Sequence, residues 1–175
     1  MAEQFQHPFQ PDPDKPPILQ DPKKFTQGLV QVYTGNGKGK STAAFGTAMR
    51  AIGTGFRVAI VCFMKGDQRY GEQNIPQLPN LLIENFGPAY LVDMNNVSPD
   101  EKAQGRAALD RARDLMLSGD YDVIILDEAN VAVSWHLIEI DDLMELVARR
   151  PADVELIITG RYAHGRLIEA ADLVT

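Results

Sequence analysis

Thr34-Gly35-Asn36-Gly37-Lys38-Gly39-Lys40-Ser41-Thr42 is the stretch on which the fold of this chain turns. The strand-like run Leu29-Val30-Gln31-Val32-Tyr33 precedes it, and the helical pattern Ala43-Ala44-Phe45-Gly46-Thr47-Ala48-Met49-Arg50 follows. A strand, a glycine-rich turn and Gly-Lys-Ser at a helix start form the layout of a phosphate-binding loop. The three glycines let the backbone curl until successive N–H groups converge on one concavity, a nest for anionic oxygens. The helix N-terminus adds partial positive charge, Lys40 has the length to reach terminal phosphates, and the Ser41 hydroxyl suits Mg²⁺. One position departs from the strict pattern, which begins with Gly: here Thr34 stands in that place. A Gly-rich surface turn is the plain alternative, but the strand before and helix after favour a nucleoside triphosphate site.

Working outward, 175 residues suffice for one domain with a core of its own. A net charge of −7 provides no basic field for a phosphate backbone, which argues against a general nucleic-acid binder. Cys62 is the single cysteine and lies in the apolar run Val58-Ala59-Ile60-Val61-Cys62-Phe63, so it reads as an inert core thiol. No apolar run reaches membrane-spanning length, and the N-terminus lacks the basic-then-apolar build of a signal peptide. These features predict a cytoplasmic enzyme without a membrane partner.

Residues 1–27 carry Pro8, Pro11, Pro13, Pro16, Pro17 and Pro22 and read as an extended, proline-rich tail. In it Phe5, Phe9, Ile18, Leu19 and Phe25 are available to dock on the domain or on a second subunit, with disorder as the alternative. Residues 28–175 alternate β-rich and helical stretches. Strands are predicted at 29–34, 57–63, 81–85, 121–127 and 154–159, and helices at 40–52, 99–117, 140–149 and 164–171. Val123-Ile124-Ile125-Leu126 and Leu156-Ile157-Ile158 are unbroken apolar runs, the mark of parallel strands covered on both faces. In the 99–117 helix an apolar face of Ala103, Ala107, Leu109, Leu115 and Met116 is expected. The pattern implies an α/β, three-layer, parallel-sheet fold with right-handed crossovers. Asp172-Leu173-Val174-Thr175 reads as the start of a further strand.

The apolar run at 123–126 ends in Asp127-Glu128. In a phosphate-loop fold such an acidic strand end lies beside the loop and binds Mg²⁺ directly or through water. Glu128 admits two readings, a general base that activates water or a holder of metal or ribose. Ile157-Ile158-Thr159-Gly160-Arg161 puts Thr and Arg at the carboxyl end of another strand, where α/β sheets bind ligands and a guanidinium grips phosphate. Phe63-Met64-Lys65-Gly66 ends a strand on the same edge and is followed by Arg69-Tyr70-Gly71-Glu72. Lys65 there serves phosphate or a carboxylate, or is simply solvated. His136 and His164 have no metal-ligand spacing around them.

Thr34 to Gly46, with Phe63-Met64-Lys65-Gly66, Leu126-Asp127-Glu128 and Ile158-Thr159-Gly160-Arg161 in matching order, resembles the ATP:corrinoid adenosyltransferases of the cobalamin pathway. That family carries Thr at the first loop position, and the likeness spans residues 28–175. It implies a RecA-like P-loop fold in which Co(I) of a reduced corrinoid attacks C5′ of ATP and triphosphate leaves. By resemblance, Gly35, Asn36, Gly37, Lys38, Gly39, Lys40, Ser41 and Thr42 wrap the triphosphate, with Arg50 and Arg161 as further nucleotide contacts. Lys40 and Glu128 carry the catalytic roles, and Ser41, Asp127 and Glu128 hold Mg²⁺. Lys65 and Tyr90 meet the corrinoid. Where the family has two aromatics after a glycine, Gly87-Pro88-Ala89-Tyr90 has only Tyr90. The family continues beyond the residue matching Thr175, and some members have a charged helical lid where this chain has its proline-rich tail. A homodimer and a flavoprotein-type reductant are the implied partners. An ordinary P-loop ATPase or kinase, or a non-catalytic ATP- or corrinoid-binding protein, are the competing readings.

Overall fold

The computed structural model describes residues 25–66, 70–74 and 78–175, so Arg69 and all but 25–27 of the proline-rich tail lie outside the described residues. Six parallel strands form one sheet. They are β1 (Val30–Tyr33), β2 (Val58–Cys62), β3 (Leu81–Asn85), β4 (Val123–Asp127), β5 (Glu155–Thr159) and β6 (Leu173–Val174), in spatial order β3-β2-β4-β5-β1-β6. The helices are α1 (Lys40–Gly53), α2 (Pro99–Leu117), α3 (Ala129–Ser134), α4 (Ile140–Ala148) and α5 (Gly165–Ala170). This is the expected RecA-like α/β architecture, and the strand read at 172–175 is present as β6.

The unbroken apolar runs are explained by alternation across the sheet. Along β2, Ala59 and Val61, followed by Phe63 just beyond its end, enter the core shared with α2, α3 and α4. Val58, Ile60 and Cys62 enter the opposite core, with Ala44 and Ala48 of α1. β4 divides in the same way, Ile124 and Leu126 to one side, Val123 and Ile125 to the other. Each of these side chains is fully or nearly fully buried. Burial of one Ile or Leu contributes about 1.5–3 kcal/mol, which is why β2 and β4 carry no polar residue before their carboxyl ends.

Local signals set the element ends. α2 begins in a capping box: the Ser98 hydroxyl accepts from the Glu101 N–H, and Glu101 accepts the Ser98 N–H at 2.6 Å. Its buried stripe is Gly105, Ala108, Leu109, Ala112, Leu115 and Met116, whereas Ala103 and Ala107 are exposed. Leu109, Leu115 and Met116 of the expected face are thus buried, while Gly105, Ala108 and Ala112 take the places expected of Ala103 and Ala107. Gly105 is what fixes the seam, because a Cβ there would lie 2.8 Å from the Leu137 carbonyl oxygen. α3 was not predicted from the sequence; its Val131 and Val133 favour strands, and at six residues it has no periodicity to read. At the far end of the sheet Phe25 stacks on Phe56 with centroids 4.4 Å apart, so that residue docks on the domain.

Candidate active site

With all strands parallel, their carboxyl ends share one edge, and the loops there build the site. β1 and β4 are separated by β5, so the glycine-rich loop and the acidic strand end stand two strand spacings apart, about 10 Å. β5 fills the gap with Thr159, which is paired with Tyr33 in the register.

The loop between β1 and α1 curls as its glycines predict. Gly35 (φ 99°) and Gly39 (φ 108°) occupy the left-handed region, and Gly39 is the N-cap of α1. The Lys40 ammonium folds over the turn, donating to the carbonyls of Gly35 (2.8 Å) and Gly37 (2.6 Å). Ser41, one residue into α1, lines a cavity of about 760 Å³ together with Glu128 and Arg161. Arg50 is not brought to this edge. It lies exposed in the last turn of α1, and about 15 Å of helical rise separates it from Lys40.

Asp127 and Glu128 are adjacent in sequence but differ in surroundings. Asp127 is fully buried: one oxygen accepts the Thr159 hydroxyl at 2.7 Å, and the other meets the Lys65 ammonium at 2.7 Å. Glu128 takes a left-handed backbone (φ 64°) that turns its side chain from the strand direction toward the cavity wall. Its N–H donates to the Thr159 hydroxyl oxygen at 3.1 Å, which helps hold that strained conformation. Burial, and then the neighbouring Asp127 carboxylate, push Glu128 above the ordinary carboxylate value, against partial opposition from Lys65, Lys40 and Arg161.

Lys65 is buried and ion-paired to both Asp127 and Glu72, the latter at 2.6 Å. Burial alone would lower its pKa, but Asp127 and the hydrogen bonds to Asp127 and Glu72 carry it above the ordinary lysine value. Cys62 is pushed up to about 12, first by burial and then by Asp127, which makes it the inert thiol expected. Two glycines let the neighbouring loops approach. A Cβ on Gly66 would sit 1.8 Å from the Gly87 carbonyl oxygen, and one on Gly87 would sit 2.6 Å from Met64 Cα. The 63–66 and 86–92 loops therefore close on one another, with the Lys65 N–H donating to the Phe86 carbonyl at 2.8 Å.

The remaining cavity wall is apolar and aromatic: Phe63, Met64, Tyr70, Tyr90, Leu91, Val92, Trp135 and Tyr162. Tyr90 (61% exposed) and Leu91 (90%) project at its rim, an unusual exposure for large apolar side chains side by side. Ser41 of the loop motif, the Glu128 carboxylate and the aromatic wall share one cavity.

A model of the family described as ATP:corrinoid adenosyltransferase BtuR/CobO/CobP matches residues 26–175. The chain belongs to this family. It is 34% identical over 149 residues to the corrinoid adenosyltransferase of Escherichia coli strain K12, covering 85% of this chain and 76% of that protein. The corrinoid adenosyltransferase of Pseudomonas aeruginosa is 35% identical over 153 residues, covering 85% and 74%. Corrinoid adenosyltransferase CobA of Salmonella typhimurium is 32% identical over 149 residues, covering 85% and 76%. The adenosyltransferase family is one of transferases, so this chain is an enzyme of that class.

Set against the family, the structure groups Ser41, Lys65, Tyr90, Glu128 and Arg161 around one cavity and puts Asp127 behind it. Sequence reasoning missed Trp135 and Tyr162 as wall residues and Glu72 as the partner of Lys65. Tyr162 had a readable signal, its place directly after Arg161 at a strand's carboxyl end. Trp135 had none, because it reaches the wall through the unpredicted α3. Among the described residues no group of three or more His, Cys, Asp or Glu side chains could hold a metal, and no helix is long and apolar enough to cross a membrane.

Proposed function

We propose that this chain transfers the 5′-deoxyadenosyl group of ATP to the cobalt of a reduced corrinoid and releases triphosphate. The observation that carries this reading is the shared cavity, polar at Ser41, Glu128 and Arg161 and aromatic at Tyr70, Tyr90, Trp135 and Tyr162. A polyanion fits one end and a large, flat, largely apolar ring the other. In the reaction the cobalt electron pair forms the Co–C5′ bond, while the C5′–O bond breaks and its pair departs with triphosphate. Since no proton is removed, a general base is unnecessary. What the protein must supply is anion stabilisation.

The backbone N–H groups of Gly35 to Thr42 and the N-terminus of α1 receive the triphosphate, and Arg161 grips it from the facing strand end. The Lys40 ammonium exchanges its bonds to the Gly35 and Gly37 carbonyls for phosphate oxygens. The oxygen donors suit Mg²⁺, which when bound with ATP neutralises charge on the leaving triphosphate. Ser41 and Glu128 are the cavity-lining oxygen donors for it. Asp127, with both oxygens engaged, serves from behind. Tyr90 meets the corrinoid at the rim.

Incubation with Mg-ATP and a chemically reduced Co(I) corrinoid tests the reading. The expected product is a light-sensitive adenosylcorrinoid with one triphosphate per cobalt. ADP and orthophosphate without a Co–C bond would instead identify an ATPase with Glu128 as base. The reading extends to residues 28–175 as the catalytic unit, a cytoplasmic location, a homodimer and a flavoprotein-type electron donor. Sedimentation velocity checks the dimer; a monomer at micromolar concentration overturns it. Replacement of the chemical reductant by a reduced flavoprotein checks the donor; no product would remove it.

A further inference from the structure

Sequence reasoning sends Lys65 to the corrinoid, but its surroundings assign it different work. Its ammonium lies 2.7 Å from Asp127 Oδ2, 2.6 Å from Glu72 Oε1 and 5.0 Å from the centre of the Tyr70 ring. Asp127 belongs to the end of β4; Tyr70 and Glu72 belong to a short 3-10 turn at Gly71–Asn74 and the residue before it. From Asp127 the chain of bonds continues through the Thr159 hydroxyl to the Glu128 N–H. One cation therefore joins the backbone that aims Glu128 to the segment that presents Tyr70, and both of those side chains line the cavity.

We infer that Lys65 is a positioning residue that couples the nucleotide end of the cavity to its aromatic end, a role that rests on the adenosyl-transfer reading. Among the described residues, two carboxylates face this ammonium, one of them fully buried and the other with a side chain 20% exposed. Without that positive charge the two carboxylates lose the cation they share, and Asp127 stays buried beside the Thr159 hydroxyl. The turn at 71–74 then shifts away from β4 while Glu128 loses the anchor of its strained backbone. A corrinoid ligand would behave otherwise, since its removal weakens one substrate and leaves the other alone. Lysine suits the place because its compact ammonium has three donor directions, whereas the planar fork of Arg needs a wider gap.

The test is a cycle of Lys65→Met, Glu72→Gln and the double variant, assayed with both substrates and compared with wild type. Lys65→Met is expected to lower kcat/KM at least about tenfold for ATP and for corrinoid alike. Neutralising the stranded carboxylate in Lys65→Met/Glu72→Gln is expected to recover several-fold, a rescue that loss of a ligand contact cannot show. An increase in corrinoid KM alone, with Glu72→Gln strictly additive, overturns the inference. Should Lys65→Met fail to fold, Glu72→Gln, on a partly exposed turn, supplies the reading: KM rises together for both substrates, and a change in only one overturns it. Trp135, the single tryptophan and a wall residue, gives a second readout in ATP titrations followed by fluorescence. Weaker ATP binding by Lys65→Met supports the coupling and unchanged binding overturns it, even if wild type itself forms no Co–C bond and the transfer reading fails.

Discussion

Glu128 stands in the left-handed region, half-buried, beside the Asp127 carboxylate that pairs with Lys65. Its pKa is raised in the folded state, so the fold binds that proton more tightly than the unfolded chain does. The corresponding stability is present below the ordinary glutamate value and is lost as pH rises through the folded value. Glu128→Gln should therefore melt higher than wild type at pH 7–8, by about 2–4 °C for each kcal/mol recovered. The two melting curves should converge as pH approaches 4.5, the ordinary glutamate value. The same variant should lose metal-dependent activity, a gain in stability set against function. Thermal melts across pH and a magnesium titration check both halves. Lys40 gives the complementary case. Among the described residues its ammonium is hydrogen-bonded to loop carbonyls at the exposed turn. Lys40→Ala should keep its fold by circular dichroism yet lose about 10²–10³-fold in adenosyl transfer.

Elements meet at this edge because glycines permit it. The 63–66 and 86–92 loops approach until Gly66 and Gly87 are in backbone contact, and Gly87 (φ 113°) is also left-handed. Gly66→Ala should destabilise the protein by at least about 1 kcal/mol, since neither backbone can move without shifting a strand end. Because both loops line the cavity, the KM for corrinoid should rise more than the KM for ATP. Denaturant melts and steady-state kinetics measure the two effects, and a neutral substitution would contradict the packing. At the other end of the second loop, α2 starts in the Ser98–Glu101 box. Ser98→Ala should cost about 1 kcal/mol, read as a lower denaturant midpoint at unchanged slope.

In the whole molecule the sheet is an apolar slab with the candidate site along its carboxyl edge. Ligand binding at that edge should stabilise the fold by mass action alone. Mg-ATP at a hundred times its Kd should add about 2.7 kcal/mol, visible as an upward shift in melting temperature. Lys40→Ala should show much less of it. Removal of metal with a chelator should stop transfer but leave the melting temperature of the ligand-free protein unchanged, because the proposed metal arrives with the triphosphate. A drop in that temperature would instead reveal a structural metal.

Local chemistry made the strands, the long helices, the phosphate loop and the acidic strand end legible in the sequence alone. Apolar runs must be buried on both faces, and glycines and Gly-Lys-Ser mark a curled turn before a helix. These signals act over a few residues and need no knowledge of the rest of the chain. Leu109, Leu115 and Met116 of α2 were read correctly as inward, but Ala103 and Ala107 were not, because they are as apolar as Ala108 and Ala112, and the approach of Leu137 to Gly105 is what chooses between them. The tertiary structure alone brought Trp135 into the cavity wall and set Lys65 between the Asp127 and Glu72 carboxylates. Asp127 and Lys65 are 62 residues apart in the chain, and their pairing exists only because β2 and β4 lie side by side. Sequence determines what each element is; the order of strands in the sheet determines which charges meet.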